Sequence, residues 1–194
     1  MRGHGISKPW FTNPVARPRR DSDDALLDRL AVAIAARQTV TPWTLAEVAP
    51  SVGLSAAGIV KRFGSRQGVL LALSHRWIAA IPKTPNGDLP PVEELRGWVA
   101  GRFAPPHGNA QGLSQLTDDL VDEDLCRLLA EGWGLEQAYL KSLLGRCDLP
   151  GVKDPDASAA ILFDALNGAA LRAVTEGSAA AVFQTLDNLL EQWT

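Results

Sequence analysis

Between Thr44 and Leu70 the chain carries, at fixed offsets, the start and stop signals of two short helices and the start of a third. Thr44-Leu45-Ala46-Glu47 is a capping box, in which the threonine hydroxyl and the carboxylate three residues on satisfy the orphan amides of a helix start. Val48 and Ala49 continue its apolar stripe. Val52-Gly53-Leu54-Ser55 then puts a glycine where a tight interhelical turn demands positive φ, and a serine where the next helix needs a cap. That helix sets Ile59 and Phe63 four apart for a core and Lys61-Arg62 on another face, before Gly64-Ser65 closes it and opens the next. Two short helices joined in this way form a helix-turn-helix.

Aligned on Gly53, the positions Thr44, Val48-Ala49, Val52-Gly53-Leu54-Ser55, Ile59, Phe63, Ser65-Arg66 and Leu70 resemble the N-terminal signature of TetR-family transcriptional regulators. The resemblance spans roughly Leu26 to Ile78, about a quarter of the chain. Two positions depart from the family pattern: Val60 stands where a tyrosine usually touches a phosphate, and Arg66 replaces a lysine. The resemblance implies an all-α protein, with an N-terminal three-helix DNA-binding domain and a larger helical domain for ligand binding and dimerisation. It places Thr44, Ser55, Ala56, Ala57, Gly58, Lys61, Arg62, Ser65 and Arg66 at the DNA, with the helix from Ser55 to Arg62 in the major groove. Ala56 and Ala57 offer only methyl contacts, so phosphates should dominate affinity.

The chain of 194 residues is 46% hydrophobic, enough to build a core, and its net charge of −3 by itself argues against a nucleic-acid partner. The distribution reverses that inference. Residues 1–82 hold 11 Lys and Arg against 5 Asp and Glu, whereas residues 83–194 hold 8 against 17. A basic segment joined to an acidic one is the electrostatic footprint a DNA-binding protein needs.

Residues 1–21 carry Arg2, Lys8, Arg17, Arg19 and Arg20 among prolines 9, 14 and 18, which leaves no helical or strand period. They read either as an arm reaching phosphates or the minor groove, or as a solvated tail. Ser22 is the expected cap of the first long helix, and a fourth helix is expected from Arg66 to Ile81. Pro82, Pro85, Gly87, Pro90 and Pro91 mark the domain boundary, giving an arm over 1–21, a helix-turn-helix domain over 22–82 and a second domain over 83–194.

Helices are expected in the second part near 92–104, 110–118, 119–145, 155–176 and 179–193, with Gly132-Trp133-Gly134 interrupting the third. In the family, the last two helices form a four-helix bundle with a second copy, and the resemblance gives Leu162, Leu166, Ala169, Ala173, Leu186, Leu189, Leu190 and Trp193 as the dimer interface. Two-fold symmetry suits a palindromic operator. The family also holds a small-molecule effector among its middle helices. Trp98, Phe103, Leu129, Trp133, Tyr139 and Phe163 are the apolar wall residues available here, and the acidic balance leans towards a neutral or cationic apolar ligand.

Catalytic readings find little support. Asp118-Asp119 and Asp122-Glu123-Asp124 fit no calcium loop, His4, His75 and His107 lack metal-ligand spacing, and no glycine-rich phosphate loop occurs. Cys126 and Cys147 read as small apolar groups. Neither a leader nor an apolar run of 18 residues is apparent, so a cytoplasmic, non-enzymatic regulator without metal or cofactor is expected. The competing reading is a helical ligand-binding or protein-interaction module whose DNA-binding face has decayed.

Overall fold

The computed structural model describes residues 22–37, 41–103, 116–117 and 119–194. The basic arm and most of the helix expected over 110–118 lie outside the described residues. Every regular element among the described residues is helical: α1 (Asp23–Ala35), α2 (Leu45–Val48) with a 3-10 turn (Pro50–Val52), α3 (Ala56–Phe63), α4 (Arg66–Ala80), α5 (Pro91–Phe103), α6 (Glu123–Leu144), α7 (Pro155–Glu176) and α8 (Ala180–Trp193).

Local chemistry sets most of these boundaries. The Ser22 hydroxyl accepts the Ala25 N–H at 3.2 Å, and Asp23 and Asp24 sit in the first turn, at the positive end of the α1 dipole. Helix α4 stops one residue short of expectation, with Ile81 extended at φ −65° and ψ 125°. Pro82 follows, and proline disfavours helical backbone in the residue before it. Pro91 opens α5, where its fixed φ is preorganised for a first helical turn.

Two expectations for the third segment are corrected. The helix expected over 119–145 is broken at Asp122 (φ −104°, ψ 125°), whose carboxylate accepts the Leu125 N–H at 3.0 Å and so starts α6 afresh. Gly132 and Gly134 do not interrupt α6, which continues through both. At Gly132 the absent side chain makes room for Trp77 of α4, because a Cβ there would overlap the indole ring.

The helices enclose two cores. Leu26, Leu27 and Leu30 of α1, Trp43, Val48, Val52, Ile59, and Val69 and Leu70 of α4 form the first, which Leu125 of α6 completes. The second joins Leu95, Val99 and Phe103 of α5 to Leu140, Leu143 and Leu144 of α6, Leu162 and Leu166 of α7, and Val182, Leu186 and Leu190 of α8. Each such leucine contributes about 1.5–3 kcal/mol when fully removed from water. Helix α6 packs on α4, α5 and α7, and α7 pairs with α8.

The stretch between α4 and α5 is tied to the second core through Glu94. Its Oε1 accepts the Tyr139 hydroxyl and the Asn86 N–H, both at 2.7 Å, and Arg146 lies 3.4 Å from Oε2 while donating to the Asn86 carbonyl at 3.0 Å. Burial alone would raise the Glu94 pKa, but these donors together hold it below its ordinary value of 4.5. Burial and the Glu94 carboxylate push the Tyr139 hydroxyl well above its usual value.

The 22 residues of α7 are long and apolar enough, by length and composition, to cross a bilayer, although Asp164 and Arg172 divide the helix into shorter apolar runs. One face of this helix lies in the second core through Leu162, Phe163, Leu166 and Ala169.

Two outcomes follow for stability. Alanine in place of Gly132 gains up to about 1 kcal/mol of helix propensity. It also forces the indole aside, at about 1–3 kcal/mol for overpacking. Thermal unfolding of Gly132→Ala should therefore show net destabilisation, whereas Gly134→Ala, whose Cβ meets open space, should be stabilised. The lowered Glu94 pKa contributes stability that is fully present above 4.5 and is lost as pH falls through the folded-state value. Glu94→Gln should flatten the acid limb of a stability–pH curve below pH 4.5. An unchanged acid limb would mean that this network carries no linkage.

Candidate nucleic-acid interface and central aromatic cluster

The sequence from Thr44 to Ser65 builds a turn that holds one short helix outward. Thr44 Oγ1 accepts the Glu47 N–H at 3.3 Å and Glu47 Oε2 accepts the Thr44 N–H at 2.8 Å, completing the capping box. After the 3-10 turn, Gly53 takes φ 70° and ψ 26°, a left-handed conformation that glycine adopts at little cost, and the Leu54 N–H returns to the Ala49 carbonyl at 3.1 Å. Ser55 caps α3 by accepting the Gly58 N–H at 3.1 Å, and Ser65 caps α4 by accepting the Gly68 N–H at 3.0 Å. Thr44, Ser55 and Ser65 are all exposed.

Within α3, Ile59 is fully buried in the first core. Ala57, Val60 and Lys61 are exposed, while Ala56 and Gly58 are half-buried. Two of the residues expected at the DNA turn away from this outward face. Arg62 turns towards α1 and pairs with Asp23 at 3.3 Å, its side chain only 15% exposed. Successive helical residues point about 100° apart, so Lys61 and its neighbour serve different surfaces. The Arg66 guanidinium lies over the ring of buried Trp43, 4.8 Å from its centroid. Trp43 went unread in the sequence because an indole outside any helical period gives no signal of its partner.

Helix α4 links this region to the second core. In its first turn Gln67 Nε2 donates to Asp122 Oδ2 at 2.7 Å, which ties the α4 start to the cap of α6. Arg76 holds α1 through Asp28 and the Asp24 carbonyl. Trp77 lies on Gly132 and donates its indole N–H to Glu136 Oε1 at 3.3 Å.

Five of the six residues expected around a ligand come together. Trp98 meets Phe103 edge-on at 6.1 Å between centroids and Tyr139 at 6.3 Å, and Trp133 meets Phe163 edge-on at 6.0 Å. Phe103, Tyr139 and Phe163 are buried, and Trp98 and Trp133 pack on the same core. Leu129 is half-buried and stands outside that cluster. Sequence reading missed Glu136, 1% exposed beside Trp77 and Arg102, because a glutamate in a helix normally marks its solvated face.

The residues expected at a dimer interface lie mostly inside one protomer: Leu162, Leu166, Ala169, Ala173, Leu186 and Leu190 are buried in the second core, with Leu189 and Trp193 packed against it. The exposed face of α7 is formed by Ala157, Ile161, Asp164, Gly168, Leu171 and Thr175, which follow one another at spacings of three and four. Ile161 and Leu171 are 56% and 53% exposed, and a Cβ at Gly168 would meet only open space.

Cys126 and Cys147 are free and half-buried, and burial pushes the Cys147 thiol up. Among the described residues no group of three His, Cys, Asp or Glu side chains is placed to hold a metal ion. The carboxylates at 122–124 cap and begin α6.

Two solved structures share this architecture. A TetR-family transcriptional regulator from Agrobacterium tumefaciens superposes with a TM-score of 0.69 at 22% identity, over 88% of this chain and 98% of that one. SmeT, the repressor of the Stenotrophomonas maltophilia multidrug efflux pump SmeDEF, superposes with a TM-score of 0.63 at 17% identity, over 90% of this chain and 91% of that one. No family model and no curated protein matches the chain. The chain therefore has the all-α fold found in TetR-family regulators.

Proposed function

We propose that this chain is a TetR-family transcriptional regulator, a cytoplasmic homodimer that represses from a palindromic operator and is released by a small-molecule effector. The observation that carries the reading is α3: a capped two-turn helix, anchored by Ile59, presents Ala57, Val60 and Lys61 outward beside the exposed caps Thr44, Ser55 and Ser65. Exposed helix starts offer amides to phosphates, and the short outer face enters a major groove. Arg62 and Arg66 act here as positioning residues, bracing α3 on α1 and α4 on Trp43, and Lys61 is the exposed cation of the recognition helix.

A gel shift on the intergenic DNA upstream of the chain's own gene tests this. Lys61→Ala should weaken binding across sequences and lower the salt slope by about 1. Val60→Tyr should restore a phosphate hydrogen bond of about 1 kcal/mol, roughly a fivefold gain. If neither variant changed retention of any upstream fragment, the reading of a decayed DNA-binding face would replace this one.

The dimer interface is assigned to the outer face of α7, around Ile161, Gly168 and Leu171. Exposed apolar side chains at helical spacing, with small residues between them, allow two copies to pack closely. Leu171→Arg should give a monomer by light scattering with an intact helical signal. Leu186→Asp should instead unfold the protomer, since it buries an unpaired charge. Helical signal lost in both variants, or in neither, would overturn the assignment of faces.

Effector control follows from α4, which starts at Ser65 beside α3 and meets α6 through Trp77. A ligand among the central aromatics releases DNA only by binding better to an arrangement whose two recognition helices no longer match successive grooves, about 34–36 Å apart.

A further inference from the structure

Glu136 is the one acidic side chain among the described residues that combines near-complete burial with an unanswered oxygen. It is 1% exposed, and its Oε1 takes both available donors, Arg102 Nε at 2.8 Å and Trp77 Nε1 at 3.3 Å. Its Oε2 is buried and accepts no hydrogen bond. A buried acceptor left in that condition costs about 1–3 kcal/mol. The two halves of the ion pair also differ in access: the Glu136 side chain is 2% exposed and that of Arg102 28%. The guanidinium carbon of Arg102 lies 5.1 Å from the Phe103 ring centroid and 5.9 Å from that of Trp77. A fixed interior carboxylate and two aromatic rings thus surround a planar cation that reaches them from the solvent side, by a contact that engages only one carboxylate oxygen.

We propose that Glu136, Trp77 and Phe103 form a subsite for a planar organic cation, and that Arg102 fills it as an internal stand-in until such a cation displaces it. An amidinium or guanidinium group with two parallel N–H donors would answer both oxygens of Glu136, which the single Nε contact of Arg102 does not. The rings supply attraction to the cation and apolar walls to the body attached to it. The subsite names the effector class for the regulator proposed above and rests on that reading for its biological role. Trp77 connects it to α4, because the indole N–H shares the oxygen that Arg102 holds.

The probe is benzamidine, a planar aromatic cation at neutral pH, compared with neutral benzamide and anionic benzoate on the full chain. Binding is read by quenching of tryptophan fluorescence and by thermal shift. Benzamidine should bind and stabilise the protein, and benzamide and benzoate should not. If the arrangement with Arg102 swung out is less than a tenth populated, Arg102→Ala should tighten benzamidine binding by about tenfold or more, because the competitor is gone. Glu136→Gln should abolish binding in either background. Equal binding of benzamide, an unchanged affinity in Glu136→Gln, or no gain in a folded Arg102→Ala protein would each overturn the proposal. Should Arg102→Ala fail to fold, the unmodified protein against Glu136→Gln decides the matter alone. None of these readouts contains DNA, so failure of the operator reading and failure of the cation subsite are observed separately.

Discussion

Helix α6 has to satisfy two cores at once, and the arrangement of the other helices depends on how it does so. Its 22 residues span about 33 Å at 1.5 Å per residue. Leu125 at one end is packed with the α1–α4 side chains, and Leu140, Leu143 and Leu144 at the other end belong to the α5–α8 core. A rigid rod seated in both cores fixes their separation and relative rotation. The cap at Asp122 serves the same end, since one carboxylate both starts α6 and accepts Gln67 from the first turn of α4.

Midway along this rod Trp77 settles on Gly132. The close approach of α4 to α6 is possible because glycine leaves the space, and Glu136 one turn further on takes the indole N–H. The α4–α6 contact thus includes a polar centre, with Arg102 of α5 as its third member. A packed apolar seam resists small displacements. A polar centre with one uncommitted oxygen responds to whatever supplies a donor, and here it lies along α4, the helix that begins beside the outward-facing α3. That juxtaposition places the polar centre and α3 at opposite ends of one helix, which is the physical basis of the effector control proposed above.

The charge pattern acquires a different meaning in three dimensions. Of the cations gathered near the end of α3, Arg62 meets Asp23, and Arg66 lies over Trp43. These contacts brace a very small three-helix unit whose core needs reinforcement. The helix caps Thr44, Ser55 and Ser65 and the Lys61 side chain remain exposed. An excess of basic residues in a segment is therefore partly structural, and only their partners separate the two uses.

Signals that act within four residues were legible from the chain alone: the capping box at Thr44 and Glu47, the caps Ser22, Ser55 and Ser65, the left-handed Gly53, and the proline before which α4 ends. Each is a covalently local competition for a backbone amide or a φ angle, so the residues themselves determine it. These signals, with the helical period of the apolar residues, determined the all-α architecture and the helix-turn-helix. Only the tertiary structure decided which residues meet across the chain: Arg62 with Asp23, Trp77 with Gly132, Arg102 with Glu136. It also decided which side of α7 faces inward. That helix carries Leu162 and Leu166 on one side and Ile161 and Leu171 on the other, so its periodicity cannot distinguish core from surface. Burial is a property of what surrounds a side chain, and for a helix apolar on both sides the choice belongs to its neighbours.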